Sequence, residues 1–320
     1  MVDIGKPPPD DRWRVSASDD PLVPPILALG VAVLAISTSA ILVRWSDAPN
    51  VIKALYRVSF TVGALVPFAA RRRASIGGIE RRDGVVAVAA GVALAVHFVT
   101  WFESLDHTTV AASVTLVQAQ PAFVAVGAWV LLDERVSRRG ALGIALAMLG
   151  MVGLSFAPSI RAAVDPAVAA TGAAVGTQYG NLLALVAAVA VAGYYLAGRS
   201  LRRRLGVLPY VTVVYTVCAL VLLIAAVGRG TVLFTYPRHE WLLFAGMALG
   251  PGVFGHTVIN WALGHVESHV VSVSLLGEPI GSAVLAVLLL AETPSVGTLL
   301  GGAVVLAGIY LTAADHRVDG

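Results

Sequence analysis

Charge is what this sequence has least of. Asp, Glu, Lys and Arg together make up 13% of its 320 residues, against roughly 25% in an ordinary soluble domain. Such a deficit excludes a chain whose whole surface faces water. Cysteine is nearly absent as well. Cys218 stands alone inside an apolar run, which excludes an internal disulfide and a thiolate metal centre. Catalytic signatures are missing too: the sequence holds no H-E-x-x-H, no G-x-S-x-G and no paired aspartates within an apolar run. A membrane-embedded enzyme acting on lipid would need such groups, so it is the weaker alternative reading. No cofactor is expected. Two histidines in apolar runs, His97 and His256, lack the Cys or paired carboxylates that a metal centre would add.

What is abundant is hydrophobic sequence, at 58% of residues and a mean hydropathy of +0.83. A membrane helix needs about 20 predominantly apolar residues. Ten such runs can be marked, at 22–45, 51–70, 84–105, 109–132, 139–157, 180–198, 208–228, 240–263, 268–291 and 295–313. Residues 1–21 are polar and carry Pro7-Pro8-Pro9-Asp10-Asp11, so they read as a disordered tail and not as a cleavable signal peptide. Residues 314–320 read as a second tail.

The ten runs form two sets of five. Pro121 and Pro279, Glu134 and Glu292, Gly143 and Gly301, Gly150 and Gly308, and His107 and His265 are each separated by the same 158 positions. A duplicated hydrophobic half is the sequence mark of a secondary transporter. The expected organisation is a first repeat at 22–157, an Ala/Gly-rich linker at 158–179 and a second repeat at 180–313.

The net charge is +3 with a pI near 9.2, but the basic residues do not point to nucleic acid. They sit in short clusters between apolar runs, which sets orientation in a bilayer. With the N-terminus inside, cytoplasmic segments hold Lys6, Arg12, Arg14, Arg71, Arg72, Arg73, Arg81, Arg82, Arg135, Arg138, Arg139, Arg199, Arg202, Arg203, Arg204 and Arg317. The other side holds only Arg161, Arg229 and Arg238. Both termini are therefore expected in the cytoplasm and the 158–179 linker outside it. Five runs per half also means that matching helices run in opposite directions. Basic residues follow Glu134 closely but not Glu292, as an inverted repeat requires.

Several residues could carry chemistry. Pro121 and Pro279 fall mid-span, where each removes a donor and frees the carbonyl four residues earlier. Such backbone is tolerated only against protein or a water-lined cavity, so the pair marks a central site or, more simply, a shared kink. Glu278 precedes Pro279 and is costly at the bilayer centre. It is either a proton- or cation-binding group or a buried carboxyl that holds the bundle together. Its repeat partner is the neutral Gln120. His97 and Trp101 share one helix face, as do His256 and Asn260; both pairs suit either a cavity lining or helix packing. Arg57 lies inside the second span, where it could pair with a carboxylate, meet an anionic substrate or anchor structure. Glu103 and Asp106 read as surface charges, and Tyr194 and Tyr195 as an interfacial belt. Small residues at Gly143, Ala147, Gly150, Gly301 and Gly308 allow close helix approach, within the bundle or at a homodimer seam.

The run from His97 to Leu105 (HFVTWFESL) and the run from Ser113 to Pro121 (SVTLVQAQP) resemble the EamA repeat of the drug/metabolite transporter superfamily. So do Gly255 to Leu263 (GHTVINWAL) and Val271 to Pro279 (VSVSLLGEP). Leu132-Asp133-Glu134-Arg135 and Leu290-Ala291-Glu292 match that family's acidic end to helices four and nine, with Asp133 and Ala291 where a glycine is usual. Arg57 stands where the family often has Arg-Phe, with Val58 replacing the Phe. The resemblance implies an all-α integral membrane fold, ten helices as two inverted five-helix repeats around a central cavity in the cytoplasmic membrane. It also implies export of a small amino-acid-like or amphipathic metabolite. Candidate cavity or coupling residues are Arg57, His97, Trp101, Gln118, Gln120, Pro121, His256, Asn260, Glu278 and Pro279, with Glu278 the coupling group if protons drive transport. A passive channel or facilitator is the remaining alternative.

Overall fold

The computed structural model describes residues 24–71, 80–132, 136–165, 173–201, 207–255, 258 and 274–315. The two expected tails lie largely outside these residues, as do Asp133, Glu134 and Arg135, the Arg202–Arg204 cluster, and the candidates His256 and Asn260.

The described chain is helical, with no strand among the described residues. In order it forms α1 (Pro25–Trp45), α2 (Asn50–Arg71), α3 (Arg81–His107), α4 (Val110–Val117), α5 (Gln120–Leu132), α6 (Arg138–Val164), α7 (Ala173–Leu201), α8 (Val207–Gly228) and α9 (Arg238–Met247). A π-helical segment, Ala248–Gly255, continues α9, and α10 (Gly277–Leu290) and α11 (Val296–Asp315) follow. Helix is the natural state for such sequence, because lipid offers no partner to a backbone group and helices satisfy their own. The ends are marked locally. Pro24 and Pro25 open α1, and the Thr109 and Ser137 hydroxyls accept backbone N–H groups at the starts of α4 and α6. Ala291 closes α10 in the left-handed conformation at φ 55°, where a glycine would be less strained.

Among the described residues, six stretches are long and apolar enough to cross a membrane: Ile26–Trp45, Arg81–His107, Val110–Leu131, Arg138–Val164, Ala174–Gly198 and Tyr210–Gly228. Two shorter apolar helices, Gly277–Leu290 and Val296–Thr312, follow. Polarity is arranged for lipid. Leu34, Trp129, Leu142, Leu149, Ile160, Ile224 and Leu288 are exposed, whereas Ser37, Arg57, Ser104, Ser113, Asn181 and Ser282 are buried. That inverts the usual preference of a water-soluble chain.

The connection between halves is shorter than expected. α6 continues through Pro158 to Val164 and α7 begins at Ala173, so helix occupies much of 158–179. The Ser159 hydroxyl donates to Gln178 Oε1 at 2.5 Å and joins the two extensions.

The small residues of α6 and α11 are used against each other. A Cβ on Gly308 would lie 2.3 Å from the Ala147 backbone nitrogen, and one on Gly143 would lie 2.8 Å from the Gly308 carbonyl oxygen. These positions therefore bring together the last helices of the two repeats inside one chain. Backbone cannot yield as a side-chain tip can. Gly308→Ala is expected to destabilise the fold by about 1–3 kcal/mol, the usual cost of overpacking, read as a lower Tm in detergent, while Gly153→Ala, in open space on α6, should leave Tm nearly unchanged.

Candidate functional site

Both repeats break a helix at the same place. α4 ends at Val117, Gln118 and Ala119 form a turn, and α5 begins at Gln120. In the second repeat Ser274 and Leu275 are helical, Leu276 forms the turn, and α10 begins at Gly277. Gln118 and Leu276 are 158 residues apart, the repeat distance. The cause is local: Pro121 and Pro279 cannot donate, so the hydrogen-bond ladder fails one turn before each proline. Around the first break the backbone tightens to i→i−3 bonds, with the Ala119 N–H donating to Leu116 at 3.2 Å and the Ala122 N–H to Ala119 at 3.0 Å.

The breaks bring polar side chains of the two repeats together. Gln118 Nε2 donates to Glu278 Oε2 across the repeat boundary. Gln120 Nε2 in turn donates to Gln118 Oε1 at 3.3 Å and also engages the Tyr195 hydroxyl. Glu278 lies in the first turn of α10, where the positive end of the helix dipole favours a carboxylate. Its backbone carbonyl accepts from the Ser37 hydroxyl at 3.4 Å, and the Ser282 hydroxyl donates to the Ser37 carbonyl at 3.1 Å. These bonds seat α10 against α1. A Cβ on Gly281 would lie 2.4 Å from Ser37 Oγ, so only glycine permits this approach.

Arg57 completes the arrangement from α2. It is 5% exposed, and its Nη1 donates to Ser39 Oγ at 2.5 Å. Its guanidinium lies over the rings of Phe98, Trp101 and Phe102, at 4.9, 5.7 and 5.9 Å from their centroids. Tyr215 and Glu278 are the groups that interact with it electrostatically. The side chain therefore stays within the bundle and does not snorkel to an interface.

α3 supplies the aromatic wall. His97 and Trp101 stack at 5.7 Å, as their four-residue spacing implies. His97 Nδ1 lies 2.9 Å from the Ala187 carbonyl, which can only accept, so the ring is protonated at Nδ1 and packs α3 on α7. Trp101 Nε1 is buried without a hydrogen-bond acceptor among the described residues. A buried donor of this kind ordinarily finds a partner.

Of the ten candidates, the structure thus gathers Gln118, Gln120, Pro121, Glu278 and Pro279 at the breaks, and Arg57, His97 and Trp101 on the facing helices. The sequence reading did not single out Ser39, Phe98 or Tyr215, and it assigned Tyr195 to an interfacial belt, whereas its hydroxyl engages Gln120. A two-residue hydroxyl–guanidinium contact between helices leaves no mark in sequence spacing.

A second polar cluster ties the ends of α1, α3, α9 and α10. Arg44 Nη2 donates to Glu292 Oε1 at 2.5 Å and Arg44 Nη1 to the Leu105 carbonyl at 2.6 Å. The Val110 N–H donates to Glu292 Oε2 at 2.9 Å. Buried Glu240 accepts from the Ser46 hydroxyl and the Asp47 N–H at 2.5 and 2.7 Å. Asn50 Nδ2 donates to Glu103 and Asp106 at 2.9 and 2.6 Å. The acids expected as plain surface charges are thus partners in this cluster.

A family model described as the EamA-like transporter family matches residues 24–156 and again 178–314. A crystal structure of a protein 18% identical aligns with a TM-score of 0.58, over 92% of this chain and 98% of its own. At that identity it shows a shared fold and nothing more. No curated protein matches significantly.

Proposed function

Because the chain belongs to the EamA-like transporter family and is a multi-pass membrane protein, we propose that it is a secondary transporter that exports a small amino-acid-like or amphipathic metabolite by alternating access. The observation that carries this reading is the joining of the two repeat-equivalent helix breaks by Gln118 and Glu278. Discontinuous helices paired across repeats are where transporters of this kind hold substrate. In this reading ten spans form two inverted repeats in the cytoplasmic membrane, with both termini inside, and the repeats rock about the Gln118–Glu278 contact. The spare donors of Arg57 and the Trp101 indole N–H suit a substrate carboxylate. Glu278 suits an ammonium or a proton, and its protonation couples flux to the proton gradient. Cavity lining by His256 and Asn260 belongs to the same proposal.

Efflux of radiolabelled amino acids and amphipathic metabolites, compared between deletion and overexpression cells, tests it. Overexpression should lower retention of one class of solute and deletion should raise it. Equal retention of every solute in both strains would remove the assignment. Strictly passive flux in vesicles would instead favour a facilitator.

A further inference from the structure

The polar cluster at the ends of α1, α3 and α10 borders an open cavity of about 530 Å³, lined by Arg44, Asp47, Asn50, Lys53 and Asp106 among others. The groups around it are unequally satisfied. Arg44 is paired with Glu292, and the Asn50 amide is spent on Glu103 and Asp106. Lys53 is different. It is 4% exposed, and its ammonium forms no hydrogen bond or close ion pair among the described residues. It senses Asp106, Glu240 and Asp47 electrostatically, from beyond contact distance. Asn50 Oδ1 lacks a donor among the described residues but presents no surface to the cavity. The otherwise buried Lys53 side chain lines the cavity with no anion of the described chain in contact with its ammonium, so an anionic group entering there would meet an unpaired cation.

We propose that this cavity is a second binding site, separate from the helix breaks, for a small zwitterion with a carboxylate and a primary ammonium. The carboxylate meets Lys53. The ammonium sits between Asp47 and Asp106. Glu240 is not available to it, since both its oxygens are occupied by Ser46 and Asp47. Lys53 and Arg57 are four residues apart on one face of α2. A solute leaving one cation therefore meets the next along the same helix, which makes the cavity the mouth of the path. The arginine distribution puts this mouth outside the cytoplasm. The site does not depend on transport, so it can be tested at equilibrium.

The test uses the full chain in detergent, with Cys218→Ala and the cavity-lining, exposed Pro49→Cys, and follows the rate of maleimide labelling. L-Alanine and γ-aminobutyrate should slow labelling, whereas acetate or ethylammonium alone should not. Lys53→Gln should raise the half-protecting concentration about tenfold or more, the loss of one hydrogen bond to a charged group. Lys53→Arg should retain protection and shows that the position tolerates change. Glu278→Gln should leave protection intact, which separates this site from the central one. Protection by acetate equal to that by the zwitterions, loss of protection in Glu278→Gln but not in Lys53→Gln, or no protection by any zwitterion would each overturn the proposal.

Discussion

Glu278→Gln is expected to abolish the pH dependence of transport in proteoliposomes and to lower flux about a hundredfold. Glutamine keeps the size of the side chain and can still bond to Gln118, so the seating of α10 on α1 through Ser37 and Ser282 survives. What it removes is the charge that faces Arg57 and the one carboxyl at the break among the described residues. Truncating one partner of a buried, hydrogen-bonded charge typically costs about 2–5 kcal/mol, and about 3 kcal/mol is near a hundredfold. Because glutamine mimics the protonated acid permanently, the residual flux should be flat with pH. Flux that keeps its wild-type pH profile in Glu278→Gln would remove Glu278 from coupling and leave it a structural carboxyl.

Arg57→Lys should be nearly as damaging to substrate binding, with little loss of stability. The guanidinium spreads over three rings and holds Ser39, and it presents a planar fork of donors. An ammonium has neither the fork nor the stacking surface, so about tenfold or more in Kd should be lost, a charged hydrogen bond's worth. Arg57→Ala removes the charge as well and should also lower Tm, since the aromatic wall of α3 loses its cation–π partner. Unaltered binding in Arg57→Ala would show that Arg57 is only an anchor.

The scaffold was readable from the sequence because its cause is local and repeated. A proline mid-span breaks a helix wherever it falls, so the constant separation of Pro121 and Pro279 foretold two matched breaks, and both occur at repeat-equivalent residues. The small residues of spans five and ten were equally legible as a close approach, but not its partner. Only three-dimensional packing shows Gly308 against Ala147 within one chain. The site was legible in part. Gln118, Gln120 and Glu278 stood out because polar groups in lipid are expensive. Arg57 stood out for the same reason, yet its meaning depends on Ser39 and Phe98, which are common residues at uninformative positions. Tyr195 looked like an interfacial residue because that is where tyrosines accumulate, and its hydroxyl's contact with Gln120 requires the fold. Helix ends near 158–179 were missed because Ala-rich sequence gives no stop signal, and Pro158 was overridden by the helix around it.

Alternating exposure of the two helix breaks is the central claim, and sided labelling tests it most directly. In oriented vesicles carrying Cys218→Ala and Gln120→Cys, a membrane-impermeant maleimide should react from either face, each reaction should block the other, and transported substrate should slow both. Reaction from one face only, or from neither while the protein remains folded, would contradict a cavity that opens to both sides around Gln118 and Glu278.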